Sequence, residues 1–164
     1  MEKQIKYYAG IGSRQTPMEI LKLMTATARK LEAHGYVLRT GGAEGADTAF
    51  ALGAKNVEIY RPEQADGEAL SLASTLHPAW GRCSDYARRL HARNCYQVLG
   101  RDLRTPSEFV ICWTPDSCVS AATRSIHTGG TATAIVLAER SGIRVYNLHI
   151  PSHLALCRDW ITKK

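Results

Sequence analysis

The order of its apolar segments is the feature that most constrains the fold of this chain. Short apolar runs alternate with longer stretches in which apolar residues recur at helical spacing, and the connections between them are short. This order is typical of parallel strands joined by right-handed helical crossovers. The sequence therefore predicts an α/β fold, a Rossmann-like doubly wound sheet of about five parallel strands with helices on both faces.

The boundaries of these elements follow from glycine, proline and capping signals. The predicted strands are Ile5–Ala9, Tyr36–Arg39, Val57–Tyr60, Glu108–Trp113 and Val145–Leu148. The predicted helices are Met18–Ala33, Asp47–Gly53, Glu68–His77, Ser84–Leu99, Thr131–Ser141 and Ser152–Trp160, with Ser84 as an expected N-cap. The sequence has no internal repeat and no linker, so residues 1–164 are expected to form a single domain.

Charge and cysteine content narrow the expected partners. The net charge of +6 favours an anionic ligand, and the basic residues concentrate between Arg82 and Arg104. That stretch is either a solvated helix face or a basic wall that faces phosphates. The five cysteines include no CxxC pair, which indicates free thiols in a reducing compartment and predicts neither a metal site nor a cofactor. No signal peptide or membrane span is recognisable, so a cytoplasmic protein without a membrane partner is expected.

Three glycine-bearing loops follow predicted strands and lead into predicted helices. Ligands of doubly wound sheets bind outside the carboxyl ends of the strands, where the strand order reverses. If the first and fourth strands are neighbours, loops converge at that point. Helix amino termini there offer free N–H groups and a partial positive charge that suit phosphate. The residues expected to bind the ligand are Gly10, Gly12, Ser13 and Arg14 in the first loop, Gly41, Gly42, Glu44, Gly45 and Asp47 in the second, and Gly129, Gly130, Thr131 and Thr133 in the third.

Individual residues in these loops have structural alternatives. A GxG turn is common without any ligand, and Asp47 is equally suited to capping the helix that follows it. Glu44 lies among small residues at the expected ligand end, where it could bind ribose hydroxyls or act in acid–base chemistry. Arg89 and Arg93 are four residues apart and share one helix face. We expect Arg93 to bind the ligand and Arg89 to support it.

At these loops the sequence resembles the SLOG superfamily, which joins DNA-processing protein A (Smf) to the LONELY GUY phosphoribohydrolases. The segment 9–14, AGIGSR, resembles the VGSR motif of the DNA-processing proteins, and 40–47, TGGAEGAD, is similar to their SGxAxGID motif. The segment 129–134, GGTATA, is similar to their GSxxTA stretch. The likeness covers most of the chain and is greatest to short, stand-alone members from phages and prophages.

The resemblance implies three functions that the sequence leaves open. One is the binding of a nucleotide or nucleotide-derived phosphate without hydrolysis. The second is single-stranded DNA binding in recombination, as for the DNA-processing proteins. The third is N-glycosidic hydrolysis, for which Arg93 matches the arginine of the LONELY GUY enzymes but Val136 stands where their PGGxGTxxE motif has its glutamate. Glu44, Asp47 and Arg93 remain the catalytic candidates. The resemblance also implies a homodimer or a larger homo-oligomer.

Overall fold

The computed structural model describes residues 4–163 as a single parallel sheet flanked by helices. Its strands are β1 (Lys6–Gly10), β2 (Tyr36–Thr40), β3 (Val57–Ile59), β4 (Phe109–Cys112) and β5 (Arg144–Asn147). The helices are α1 (Met18–Ala33), α2 (Ala46–Leu52), α3 (Gly67–Ser74), α4 (Asp85–Leu99), α5 (Thr131–Arg140) and α6 (Pro151–Thr162), with short 3₁₀ turns at Pro62–Gln64 and Trp80–Arg82.

The strand order is β3-β2-β1-β4-β5, and every pairing is parallel. The chain therefore builds outward from β1 to β3, crosses back, and continues from β4 on the other side of β1. The strand order reverses between β1 and β4, which are neighbours in the sheet. The predicted convergence of the loops depends on this adjacency. Residues that follow these two strands lie at the position where ligands of such folds bind. The predicted α/β doubly wound class is thereby confirmed.

Alternating strand residues divide the core into two layers. Tyr8 points to the layer built with α1, α2 and α6, where Met24 and Phe50 are completely buried. Ala9, the next residue of β1, points to the layer built with α3, α4 and α5, where Tyr96 and Ile135 are completely buried. Successive side chains of a strand face opposite sides of its sheet, so this arrangement places helices on both faces.

The predicted boundaries agree with the structure within one or two residues except at the end of α3. This helix ends at Ser74, and the predicted end was His77. Pro78 contributes to the earlier end, because it disfavours helical geometry at His77 and has no N–H to donate to the carbonyl of Ser74. Ser84 caps α4 as expected, since its hydroxyl accepts a hydrogen bond from the amide of Ala87.

No helix in the described range combines the length and the apolar composition that are needed to cross a bilayer.

Candidate functional site

A cavity of about 480 Å³ opens at the carboxyl end of the sheet, beside the reversal of strand order. Its walls come from the loop after β1, the loop after β2, helix α4 and the loop that leads into α5. The lining residues are Ile11, Gly12, Ser13, Arg14, Gln15, Ala43, Asp47, Leu90, Arg93, Asn94, Gln97, Ile126, His127, Thr128, Gly129, Gly130 and Thr131. The three glycine-bearing loops thus meet at one place.

The first loop is hydrogen-bonded to the residue after β4, and its Arg14 side chain has no partner among the described residues. The amide of Ser13 donates to the carbonyl of Trp113 at 3.1 Å, so this loop follows the end of β4. The Ser13 hydroxyl accepts from the amide of Gln15 at 3.0 Å, and its carbonyl accepts from the Thr16 hydroxyl at 2.6 Å. Arg14 is exposed and makes no ion pair or side-chain hydrogen bond with residues 4–163. Its guanidinium is therefore available to an anion.

The second loop is stabilised by a hydrogen bond between its own backbone and the side chain of Asp47. The carboxylate of Asp47 accepts from the amide of Ala43 at 3.2 Å, while no side chain caps the start of α2. Asp47 therefore stabilises the turn that precedes the helix, and it also lines the cavity. Gly45 has φ of 88°, and a Cβ at this position would lie 3.0 Å from both Arg14 Cα and the Ser13 carbonyl oxygen. A glycine at this position lets the first and second loops come into contact.

Asp47 is buried and its charge is only partly compensated. Burial raises its pKa to about 6, although the amide of Ala43 and the positive charge of Arg93 act in the opposite direction. A Cβ on Gly41 would lie 2.7 Å from Arg93 Nη1 and 2.8 Å from Asp47 Oδ2, but the two charged groups do not approach within 4.0 Å of each other, so they form no salt bridge. The cavity wall thus contains a carboxyl group that titrates near neutrality.

Helix α4 joins the second loop to the third through two consecutive residues. Arg93 is buried and donates from Nη1 to the carbonyls of Gly41 at 2.7 Å and Tyr60 at 3.1 Å. Its Nε donates to Asn94 Oδ1 at 2.9 Å, and Asn94 Nδ2 donates to the carbonyl of Gly130 at 2.7 Å. The arginine therefore has a fixed orientation in the wall, with Nη2 left without a partner among the described residues.

Gln97, one turn after Arg93, lines the cavity with an unsatisfied carboxamide. Its side chain is 1% exposed, and its Oε1 has no hydrogen-bond partner in the described structure. A Cβ on Gly41 would lie 2.6 Å from its Nε2, so the amide lies directly against the second loop. Buried polar groups are nearly always hydrogen-bonded, which makes an unpaired amide in a cavity wall a candidate contact for a ligand or water.

The third loop is stabilised by hydrogen bonds to an acidic residue in the segment after β4. The carboxylate of Asp116 accepts from the hydroxyls of Ser125, at 2.6 Å, and Thr128. Gly129 and Gly130 follow at the mouth of the cavity, and no side chain caps the start of α5 there. The first turn of this helix therefore begins beside the cavity, and no side chain accepts from its N–H groups.

The structure places the sequence-predicted site residues in three groups. Those that line the cavity are Gly12, Ser13, Arg14, Asp47, Arg93, Gly129, Gly130 and Thr131. Gly10 is the last residue of β1 and not part of the loop, and a Cβ there would lie 2.7 Å from the Phe50 ring. Gly41, Gly42 and Gly45 lie in the backbone of the second loop, where they allow close packing. Glu44, Arg89 and Thr133 are outside the lining: Glu44 is exposed, Arg89 pairs with Asp85 in solvent at 3.4 Å, and the buried Thr133 hydroxyl lies 2.7 Å from His91 Nδ1.

Sequence reasoning missed Asn94 and Gln97 as lining residues. Gln97 follows Arg93 by four positions, so helical spacing alone places the two on one face. Asn94 is adjacent to Arg93, and no spacing rule singles it out. Its role depends on the Gly130 carbonyl, which reaches α4 only in the folded chain.

Comparison with known proteins identifies no relative: no family model, no curated protein and no solved structure matches the chain. The fold and the cavity therefore define the class on their own. The chain is a parallel, doubly wound α/β protein with a polar cavity at the carboxyl ends of its strands.

Proposed function

We propose that this protein binds a nucleotide or a nucleotide-derived phosphate in the cavity formed by the three glycine-bearing loops. The convergence of those loops on one cavity, with Arg14 unpartnered at its edge, is the observation that carries the proposal. A volume of about 480 Å³ falls within the range of small-molecule sites. The exposed guanidinium and the uncapped start of α5 suit the phosphate, because both favour negative charge.

The groups deeper in the wall suit the neutral part of such a ligand. Gln97 offers an unpaired carboxamide, and Asp47 offers a carboxyl group with a pKa of about 6. Ribose hydroxyls and the exocyclic groups of bases can satisfy donors and acceptors of this kind. We therefore assign the phosphate to the Arg14 side of the cavity and the sugar or base to the side of Gln97.

Binding without phosphoribohydrolase chemistry is the form of the proposal that the residues favour. Val136, at the position of the glutamate in the LONELY GUY motif, is 2% exposed and packs in the core between α5 and the sheet. Asp47 is the one acidic side chain among the lining residues. Asp47 lies at the start of α2 and not on α5, where the LONELY GUY motif carries its glutamate.

Single-stranded DNA binding is the second candidate, and the exposed face of α4 favours it. Tyr86 is 62% exposed and Arg89 projects into solvent on the same helix. Exposed aromatic rings beside cations are the groups that stack on unpaired bases and contact their backbone. This surface differs from the cavity, so the two functions depend on different residues.

The test compares small nucleotides with DNA on matched variants. Binding of AMP, ADP, ATP, ADP-ribose and a short oligo-dT is measured by calorimetry for the native protein, Arg14→Ala and Arg158→Ala. Arg158 is exposed on α6 and makes no side-chain hydrogen bond or ion pair with residues 4–163, so this variant removes the same charge outside the cavity. We expect Arg14→Ala to weaken nucleotide binding about tenfold to 100-fold, the effect of one charge-assisted hydrogen bond, while Arg158→Ala binds normally.

Other outcomes would reject the proposal. If no nucleotide binds, or if Arg14→Ala and Arg158→Ala weaken binding equally, the cavity is not a nucleotide site. If only oligo-dT binds and its affinity falls steeply as salt rises, the second candidate replaces the first. Chromatography of the incubated nucleotides detects a released base, which would establish hydrolysis instead.

A further inference from the structure

Three metal-ligating side chains cluster outside the cavity, in and after the segment that connects α3 to α4. His77 and Cys83 lie in this segment and His91 lies on α4, and their ligand atoms are all within 4.8 Å of one another. Cys83 Sγ is 3.7 Å from His77 Nε2, and the two imidazole rings have centroids 4.5 Å apart. No other group of this kind occurs within residues 4–163.

We propose that His77, Cys83 and His91 form a binding site for a divalent transition metal, with Zn²⁺ as the preferred ion. Two imidazoles and one thiolate are ligands that Zn²⁺ prefers. Zn–S bonds of about 2.3 Å and Zn–N bonds of about 2.0 Å place tetrahedral ligands roughly 3.3–3.6 Å apart. His77 offers Nδ1 to the metal, and the separation of this atom from Cys83 Sγ, 3.8 Å, is already close to that distance.

Neighbouring groups indicate which ring nitrogen of each histidine would bind the metal. His91 Nδ1 lies 2.7 Å from the Thr133 hydroxyl, which leaves Nε2 to the metal. A hydrogen bond on the remote ring nitrogen is the usual means by which a ligating histidine is held in position. His77 Nδ1 accepts from the amide of Ala79 at 3.0 Å, so the ring proton of neutral His77 is on Nε2 and Nδ1 carries the lone pair. A metal bound at Nδ1 would replace this one neutral hydrogen bond.

Arg124 places a positive charge near the proposed metal site, and this charge disfavours the binding of a cation. Its Nη1 donates to the carbonyl of Leu76 at 2.8 Å, and its positive charge acts on both imidazoles. Cys83 therefore binds as the thiolate, whose negative charge reduces the repulsion between the metal and Arg124. A site of two histidines alone would lack this compensation, which makes Cys83 the essential ligand.

Three protein ligands leave the fourth tetrahedral position to water, and the position of the cluster determines which elements a bound metal would join. His77 and Cys83 come from the α3–α4 connection, and His91 contacts α5 through Thr133. A metal bound to all three joins this connection to two helices of one layer. The spacing H-x5-C-x7-H has no CxxC pair, which explains why the sequence predicts no metal site.

Cobalt titration of the reduced, full-length protein tests the proposal. We expect Co²⁺ to bind at one equivalent with a thiolate-to-cobalt charge-transfer band, and Zn²⁺ to displace it. Cys83→Ser should abolish the band, whereas Cys157→Ser should retain it, because Cys157 lies on α6 against Thr27. Thr133→Val should keep the band and weaken Co²⁺ binding roughly tenfold to 100-fold, the usual effect of losing such an orienting partner.

Two results would overturn the assignment. One is the absence of a charge-transfer band at one equivalent in native protein whose thermal unfolding is cooperative. The other is a band that survives in Cys83→Ser, because another thiol would then be the ligand. Thermal unfolding of each variant without metal separates loss of the ligand from loss of the fold. The test needs no nucleotide, so its outcome is independent of the proposed function.

Discussion

Arg93 Nη1 donates a 2.7 Å hydrogen bond to the carbonyl of Gly41, which attaches helix α4 to the loop after β2. The same atom also bonds the carbonyl of Tyr60. A guanidinium can serve several acceptors at once because its donors have a fixed planar arrangement. Arg93 is therefore a structural member of the cavity wall whether or not a ligand is bound.

Asp47→Asn should remove a pH dependence of stability. The pKa of Asp47 is raised from 3.8 to about 6 on folding, so the folded state holds this proton more tightly than the unfolded state. Its ionisation therefore costs stability as pH rises from about 4 to about 6, and the full cost is present at pH 7. That cost is of the order of 3 kcal/mol. We expect Asp47→Asn to be the more stable protein at pH 7 and to lose this advantage near pH 4.

Urea unfolding at a series of pH values measures the effect. Asp159→Asn is the control, because Asp159 is exposed and makes a surface ion pair with Lys163. A stability difference between native protein and Asp47→Asn that is the same at pH 4 and pH 7 would contradict the expectation.

Gln97→Met should separate stability from ligand binding. The native carboxamide is buried with Oε1 unpaired, and methionine has a similar volume without polar hydrogen-bonding groups of that strength. Removing a buried unsatisfied acceptor should stabilise the protein by about 1 kcal/mol. Nucleotide affinity should fall about fivefold to tenfold if the amide contacts the ligand, the effect of one neutral hydrogen bond.

Chemical denaturation and calorimetry on the same preparation give both quantities. Unchanged nucleotide affinity in Gln97→Met would place the ligand away from α4. Reduced stability would indicate that the native amide has a partner.

Gly45→Ala should disturb the contact between the first and second loops. A methyl group would lie 3.0 Å from the Arg14 backbone, and alanine is strained at φ of 88°. We expect a loss of about 1–3 kcal/mol in unfolding free energy and weaker nucleotide binding. Gly67→Ala is the matched control, because its Cβ would meet nothing within 4 Å at the first position of α3.

Thermal unfolding of the two alanine variants decides this point. Equal melting temperatures for Gly45→Ala and Gly67→Ala would show that the loops tolerate a side chain at residue 45.

Periodicity and turn residues predict most of the fold, because each element is determined by local sequence. The alternation of Tyr8 and Ala9 between layers follows directly from strand geometry. The order of the parallel strands can be predicted from the right-handed crossover rule once β1 and β4 are taken to be neighbours. The early end of α3 also has a local cause, Pro78, which outweighs the helical pattern before it.

The site is less predictable because its decisive contacts join distant segments. The glycine-bearing loops mark the end of the sheet, but the Asn94–Gly130 bond depends on how α4 packs against α5. The same holds for Arg89 and Thr133, which share sequence signals with Arg93 and Thr131 yet point elsewhere. Identifying a loop from sequence is thus easier than identifying the side chains that face into it.

Helix α4 holds two loops through neighbouring residues, Arg93 at Gly41 and Asn94 at Gly130. Because both hydrogen-bond donors are on one helix, a rotation of α4 about its axis would strain both loops at once. The positions of the two loops are therefore mechanically coupled through α4, whose outer face, with Tyr86 and Arg89, is accessible from solvent.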